Sequence, residues 1–265
     1  APLLKIERKE FSLGCAANVA LNILSRGAKA SLGCVIGSDS QGRLFERICR
    51  KRGIDLHYAK NGTTIVKERA IESEFNQYLL RSDDGEFNLR AINEKAERIL
   101  VDSIMKKKID AIILSDYNKS LFRKDFGKAV IELARKRKIP VVVDPKPMNA
   151  RSFRASTLIC PNIKEAKEIS ASNSEDPKFL ARRLKDIMKS DYIIVTCGKR
   201  GMLCFDGKQF TQIPTKARDV IDVTGAGDTA CALMTLGLAN GLSLVELAQI
   251  ANYAAGIVVE KQGTA

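Results

Sequence analysis

Apolar positions along this chain recur with two periods that take turns. Short runs rich in β-branched and aliphatic residues stand at 30–36, 54–58, 111–114, 141–143, 158–160 and 193–196, bounded by glycines or charged turns, and read as buried strands. Helical spacing lies between and after them. It covers 13–27 through Val19, Leu21 and Leu24, then 41–52, 88–107, the stretch opening at Asn162, a long apolar pattern from about Thr229, and 243–261. Strands alternating with helices predict an α/β domain with a mostly parallel sheet. Two stretches depart from that rhythm. Residues 3–11 partly alternate (Leu4 and Ile6 against Lys5, Glu7 and Arg8), and 63–81 read as two charged antiparallel strands through Thr64, Val66, Arg69, Ile71 and Tyr78 to Leu80. Together they predict a small β lid, with strands at about 3–12 and 63–82, beside the main domain. A hairpin around Asp206-Gly207 is expected over 202–213.

Composition narrows the class. At 265 residues with 45% hydrophobic content, the chain suffices for one large domain over 1–265, and it has no apolar run long enough to span a membrane. Its seven cysteines are odd in number and lack a C-x-x-C pair, as reduced thiols of a cytoplasmic protein would be. His57 is the only histidine, which leaves no material for a histidine-based triad or zinc site. The net charge of +13 gathers at Arg50 to Arg52, Lys106 to Lys108, Arg135 to Lys138 and Arg182-Arg183, near helix ends where lysine and arginine complement carbonyls. With 6% aromatics and no nucleic-acid module, neither a nucleic-acid nor a membrane partner is expected.

The chemistry concentrates in Asp222-Val223-Thr224-Gly225-Ala226-Gly227-Asp228. Two glycines admit a ligand close to backbone amides, and the following helix aims its free N–H groups and positive dipole end at the same place. An anion is the natural occupant. Asp228 adds a carboxylate able to accept the proton of an attacking hydroxyl, while Gly225, Ala226 and Gly227 supply amides for a transferring phosphoryl group. Two other readings stay open on these residues. The turn alone explains a helix start with Asp228 as a first-turn acid, and Gly225, Gly227 and Ala230 fit G-x-G-x-x-G/A. That dinucleotide fingerprint needs a strand after its helix, and the alanine-rich 243–261 reads as helix instead.

Strand ends supply the remaining candidates. Asp116, Lys119, Asp144 and Lys146 follow two strands at the edge where open α/β sheets bind ligands. Asn162 and Glu165 have capping-box spacing, and the same pair suits the water shell of Mg²⁺. The turn Cys197-Gly198-Lys199-Arg200-Gly201 lacks the P-loop pattern.

With Asn162-x-x-Glu165, Thr196-x-Gly198 and 14–18, the stretch 222–228 resembles the ribokinase-like (PfkB) carbohydrate kinases. Residues 13–20, 63–69, 76–83, 114–119, 144–146, 222–229 and 251–265 are similar to the kinase domain of D-glycero-D-manno-heptose 7-phosphate kinases. The resemblance implies a ribokinase-like three-layer sandwich and phosphorylation of the heptose at O1 in ADP-heptose and lipopolysaccharide core synthesis. Asp228 would be the base. ATP would be held by Asn162, Ile163, Lys164, Glu165, Thr196, Gly198, Gly201 and Asn252, with Mg²⁺ on Glu165 through water. The sugar phosphate would fall to Asn18, Lys67, Arg69, Arg81, Asp116 and Lys146. A monovalent cation and fusion to an adenylyltransferase domain are further expectations of the same kind, while the apolar Ile65, Val66, Ile71 and Leu79, on lid strands with little core of their own, predict a homodimer formed through the lid. Departures are Gly14-Cys15 in place of paired glycines, and Gln77-Tyr78 in place of two glutamines. A family N-terminal strand would precede Ala1, and a continuation would follow Ala265. Another sugar kinase of this family, or a non-catalytic basic binding protein on the same fold, are the alternatives.

Overall fold

The computed structural model describes residues 3–74, 77–86, 94–119, 121–122, 125–215 and 222–260. In chain order the elements are α1 (Ala16–Leu24), β1 (Ser31–Ile36), α2 (Ser40–Lys51), β2 (Asp55–Lys60), β3 (Val66–Ile71), β4 (Tyr78–Asp84), α3 (Glu94–Met105), β5 (Ile112–Ser115), α4 (Phe126–Lys136) and β6 (Val141–Asp144). A 3₁₀ segment (Pro147–Phe153) precedes β7 (Leu158–Ile159), α5 (Ile163–Ser170), α6 (Pro177–Met188), β8 (Tyr192–Thr196), β9 (Met202–Phe205), β10 (Phe210–Ile213), α7 (Ala226–Ala239) and α8 (Leu244–Val259). The central sheet has the order β10-β9-β8-β7-β6-β5. Strands β5 to β8 are parallel, and β9 and β10 extend the sheet antiparallel.

Why these runs are almost wholly apolar is visible in where alternate residues go. Val141, Val143, Ile159, Ile193 and Val195 enter one core with Ala134, Leu180 and Leu184, whereas Val142, Leu158 and Ile194 enter another with Met234, Leu247 and Ala251. Both faces are covered, by α4 and α6 on one side and α7 and α8 on the other, so no position is free to be polar. This is the three-layer α/β arrangement. A parallel pair, β1 with β2, forms its own two-stranded sheet over a third core with α1 and α2.

The lid is smaller than expected. β3 and β4 pair antiparallel from Val66↔Asp84 to Ile71↔Tyr78, but residues 3–12 form no strand. They join no ladder: Leu3 is 96% exposed and Ile6 75%, and Lys9 meets β3 in a side-chain ion pair with Glu68 at 2.6 Å. Extended alternation without ladder hydrogen bonds is not held as a strand. A second correction concerns α7, which begins at Ala226 and not near Thr229, so that Asp228 stands inside its first turn. For α3, the predicted stretch 88–93 lies outside the described residues. The four parallel strands β5 to β8 deliver Asp116, Asp144, Asn162 and Thr196 to one edge of the sheet.

Candidate active site

The start of α7 is built by its own sequence. Asp222 Oδ1 accepts from the Thr224 amide at 2.9 Å and its hydroxyl at 2.6 Å, closing a local turn, while the Asp222 amide donates to Val259 O of α8 at 3.1 Å. Gly225 then takes φ 83°, in the left-handed region open to glycine, and caps the helix. The first helical bond runs from Thr229 N to Gly225 O at 2.9 Å. The amides of Gly227 and Asp228 precede it and face outward from the positive end of the dipole. A Cβ at Gly227 would meet nothing within 4 Å, so the protein's own packing does not demand glycine there. Open space before free amides is what an incoming anion uses.

Asp228 is half-buried and gripped on both oxygens. Tyr117 Oη donates to Oδ1 at 2.6 Å, and Asn18 Nδ2 donates to Oδ2 at 2.9 Å. Burial pushes the Asp228 carboxyl above the usual carboxylate range, against the opposing pull of Tyr117, Asn18 and Lys146. Such a group is a stronger base than a solvated aspartate. Asn18 belongs to α1, and Thr229 Oγ1 of α7 donates to Asn22 Oδ1 of the same helix at 3.2 Å, so the two helices are tied on either side of the carboxylate. Tyr117 in turn accepts from Ser115 Oγ at 3.2 Å. Burial and the neighbouring Asp228 raise the Tyr117 phenol far above its normal range, which keeps it a proton donor to the carboxylate.

One residue before Tyr117, Asp116 is turned into the protein. Only 1% exposed, it accepts at Oδ1 from Asn118 N (2.7 Å) and at Oδ2 from Lys146 N (3.1 Å), with Asn149 Nδ2 reaching both oxygens at 3.2 and 3.0 Å. The ends of β5 and β6 are thereby held together. Lys146 forms an ion pair with Glu165 Oε1, and that glutamate, itself buried, accepts at Oε2 from Asn162 N at 3.0 Å. Glu165 N donates back to Asn162 Oδ1 at 2.9 Å, completing the capping box that opens α5 with Ile163 and Lys164 in its first turn. Asp144 lies near this pair, and burial together with the Glu165 charge pushes its carboxyl up to about 7. Thr196 adjoins Asn162 as a parallel bridge, its amide donating to Pro161 O at 3.0 Å.

The other nucleotide-side candidates stand on the β8–β9 turn and α8. Gly198 takes φ 56° with nothing within 4 Å of a Cβ, whereas a Cβ on Gly201 would come to 2.0 Å from Ile213 O. Gly201 is therefore required by backbone packing, and Gly198 borders open space. Asn252 is buried in α8 and donates to Pro214 O at 2.7 Å.

Two lid cations, Lys67 and Arg81, are already matched with carboxylates. Lys67 lies 3.6 Å from Glu86 Oε1, and Lys119 approaches the same oxygen at 2.5 Å from the β5 loop. Arg81 grips Asp83 with two nitrogens at 2.8 and 2.6 Å. Arg69, Tyr78, Leu79, Leu80, Arg81 and Thr224 line a cleft of about 330 Å³ between the lid and the α7 turn. Cys15, the N-cap of α1, lies near both regions. Its thiol is pushed up by burial and is close enough to be influenced by Lys67, Asp228, Lys119 and Glu86. Its φ of 55° is one that a non-glycine residue adopts at a cost of about 1–3 kcal/mol.

Residues 5–265 match the pfkB family carbohydrate kinase pattern. The chain belongs to that family. Among its relatives, "Bifunctional protein HldE" of Geobacter sulfurreducens is 36% identical over 271 residues, covering 99% of this chain and 54% of the relative. The protein of the same name from Coxiella burnetii is 36% identical over 270 residues, covering 100% and 55%. The chain thus spans about half the length of the curated relatives it matches. Among solved structures, phosphofructokinase-2 from Escherichia coli in complex with potassium superposes with a TM-score of 0.79 at 20% identity, covering 94% of this chain and 81% of that one. A putative ribokinase from Agrobacterium tumefaciens does so at 0.72 and 19%, covering 100% and 87%. The fold of this pfkB kinase is accordingly ribokinase-like, and among the described residues no helix is long and apolar enough to cross a membrane.

Sequence reasoning brought Asp228, Asn18, Lys146, Asp116 and Glu165 forward: Asp116 and Lys146 follow strand ends, Glu165 opens α5, and Asn18 of α1 reaches Asp228 in the first turn of α7. Arg69 and Arg81 stand apart from them on the lid, and Asn252 faces Pro214. Reasoning from sequence missed Tyr117 and Glu86. Tyr117 had a usable signal, since it lies two residues past a strand that ends at the ligand edge; its partner lies 111 residues on and nothing local announces it.

Proposed function

We propose that this chain transfers the γ-phosphoryl group of ATP to O1 of D-glycero-D-manno-heptose 7-phosphate, giving the 1,7-bisphosphate and ADP in the cytoplasm, on the way to ADP-heptose and the lipopolysaccharide core. One observation carries the chemistry: the Asp228 carboxylate, held above its usual pKa, lies in the same helical turn as the free amides of Gly227 and Asp228. The sugar hydroxyl gives its proton to Asp228 as its oxygen bonds to phosphorus, the bond from phosphorus to the bridging oxygen of ADP breaks, and the amides at the start of α7 stabilise the charge on the transferred group. Support for the heptose comes from the HldE relatives, about 35% identical along the whole chain, and from the sequence resemblance.

Asn162 to Glu165, Thr196, Gly198, Gly201 and Asn252 would receive the nucleotide. Glu165 suits hydrated Mg²⁺, because a hard cation favours carboxylate oxygen and the crowding of Asp144 against Glu165 is negative charge that a divalent ion relieves. When bound, Mg²⁺ would neutralise phosphate charge. A monovalent cation remains part of the proposal, as potassium is named in the phosphofructokinase-2 structure. Lys67, Arg69 and Arg81, joined by Lys119, suit a phosphate at the far end of the sugar, with Asn18 and Lys146 nearer the reacting hydroxyl. Asp116 would act through the loop it holds. We also propose pairing of two copies through the exposed lid residues Ile71, Tyr78, Leu79 and Leu80, and an adenylyltransferase domain in the full-length protein.

A second reading is a kinase for another sugar phosphate, since phosphofructokinase-2 has this fold and was crystallised with fructose-6-phosphate. Phosphorus NMR of Mg²⁺-ATP with heptose 7-phosphate, ribose or fructose 6-phosphate in separate tubes distinguishes them. A new anomeric phosphate with the heptose alone is the expected result; transfer to another sugar refutes the substrate assignment. Asp228→Asn should lower turnover by on the order of 10² to 10⁴ and spare the ATP-dependent thermal shift. Unimpaired turnover would remove Asp228 from the reaction.

A further inference from the structure

We infer that Tyr117 is a positioning residue for the catalytic base, setting both the direction and the proton affinity of Asp228 by donating a short hydrogen bond to one of its oxygens. The inference rests on the reading of Asp228 as the base, and it adds a residue that no sequence motif for phosphoryl transfer marks. Tyr117 Oη reaches Asp228 Oδ1 at 2.6 Å, the range of charge-assisted O–H···O⁻ bonds. Asn18 Nδ2 holds the other oxygen at 2.9 Å. A carboxylate with one donor rotates about χ2; one held on both oxygens from α1 and from the end of β5 presents its remaining lone pairs in a fixed direction.

The phenol is itself fixed. Ser115 Oγ donates to it at 3.2 Å, and the neighbouring Asp116 is bonded to Asn118 N and Lys146 N, so the loop that carries Tyr117 is anchored to β6. A proton acceptor must be aligned before the attacking oxygen arrives, since a misplacement of about 1 Å costs on the order of 100-fold in rate. The bond also bears on basicity. Facing Asp228 are Asn18 and Cys15 from α1, Tyr117 from the β5 loop, and Asp144 and Lys146 from the end of β6. Desolvation raises the carboxyl, and Tyr117 leads the contributions that lower it. Taking the phenol away leaves desolvation less opposed, so the folded carboxyl holds its proton to higher pH.

Tyr117→Phe keeps the ring and deletes the hydroxyl. Two measurements test it. In protein labelled with ¹³C at the aspartate carboxyl, with the Asp228 signal assigned by its loss in Asp228→Asn, the Asp228 titration should move up by about 1 to 2 units in Tyr117→Phe. This readout needs no turnover. In the transfer assay, kcat should fall on the order of 10 to 100-fold, and the acid limb of kcat/KM should shift to higher pH by the same interval. A midpoint within about 0.3 units of wild type, from a variant with wild-type thermal unfolding, would overturn the role of Tyr117 whatever the enzyme's substrate. Should the titration move while wild-type protein phosphorylates none of the sugars, Tyr117 still tunes Asp228, and it is the heptose kinase reading that has failed.

Discussion

Asp116 looks like a sugar ligand in the sequence and like a structural clamp in the fold, and Asp116→Asn separates the two. The carboxylate presents two acceptor oxygens to three donors: Asn118 N at Oδ1, Lys146 N at Oδ2, and Asn149 Nδ2 at both. An asparagine places its NH₂ against one of the two backbone amides whichever way it is flipped, so one amide loses its acceptor inside the protein. A hydrogen bond to a charged group contributes about 1.5–3 kcal/mol, and a buried donor left without a partner costs about 1–3 kcal/mol. Local movement recovers part of this, leaving a destabilisation of about 2–4 kcal/mol, or about 4–8 °C in Tm for a domain of this size. Thermal unfolding followed by circular dichroism reads the loss directly, with ATP absent so that ligand does not mask it. Wild-type Tm combined with a raised KM for the sugar would refute the clamp and return Asp116 to the substrate.

Two further outcomes are expected. Asp39 caps α2 by accepting from Gly42 N at 2.7 Å and anchors the strand entering the lid by accepting from Thr64 N and Thr64 Oγ1, both at 2.7 Å, so Asp39→Ala should cost about 1–3 kcal/mol in urea unfolding. Those donors hold its folded-state carboxyl below the usual range despite opposing desolvation; its contribution is therefore present above the unfolded pKa of about 4 and lost as pH falls through the folded value, and a variant with unchanged acid dependence would contradict it. Light scattering in the micromolar range should give twice the mass of the chain, and Leu80→Lys, which places a charge on the apolar lid face, should return it to a single copy; a wild-type protein that is already a single copy refutes the pairing.

How much of this could be read from the chain depends on the range over which each feature is decided. The strand β6 and the helix α5 are local matters. Val141 to Val143 are apolar because both faces of the sheet are covered, and Asn162 and Glu165 cap α5 from within four residues, so periodicity and spacing revealed both. The glycine turn that opens α7 was legible for the same reason, since Asp222, Thr224 and Gly225 make it among themselves. Residues 3–12 read as a strand from alternation alone, but a strand is a property of two segments, and alternation does not report that these residues join no ladder. The grip on Asp228 was illegible in the same way: its two donors come from 210 and 111 residues away, joined only when α1 packs against α7 and β5 ends below it. Burial settles the rest. Asp116 and Asp144 are both aspartates at the ends of adjacent parallel strands, and only the fold makes one a bonded clamp and the other a crowded carboxyl near 7. A sequence thus names the edge where carboxylates gather, while packing decides how each of them is bonded and charged.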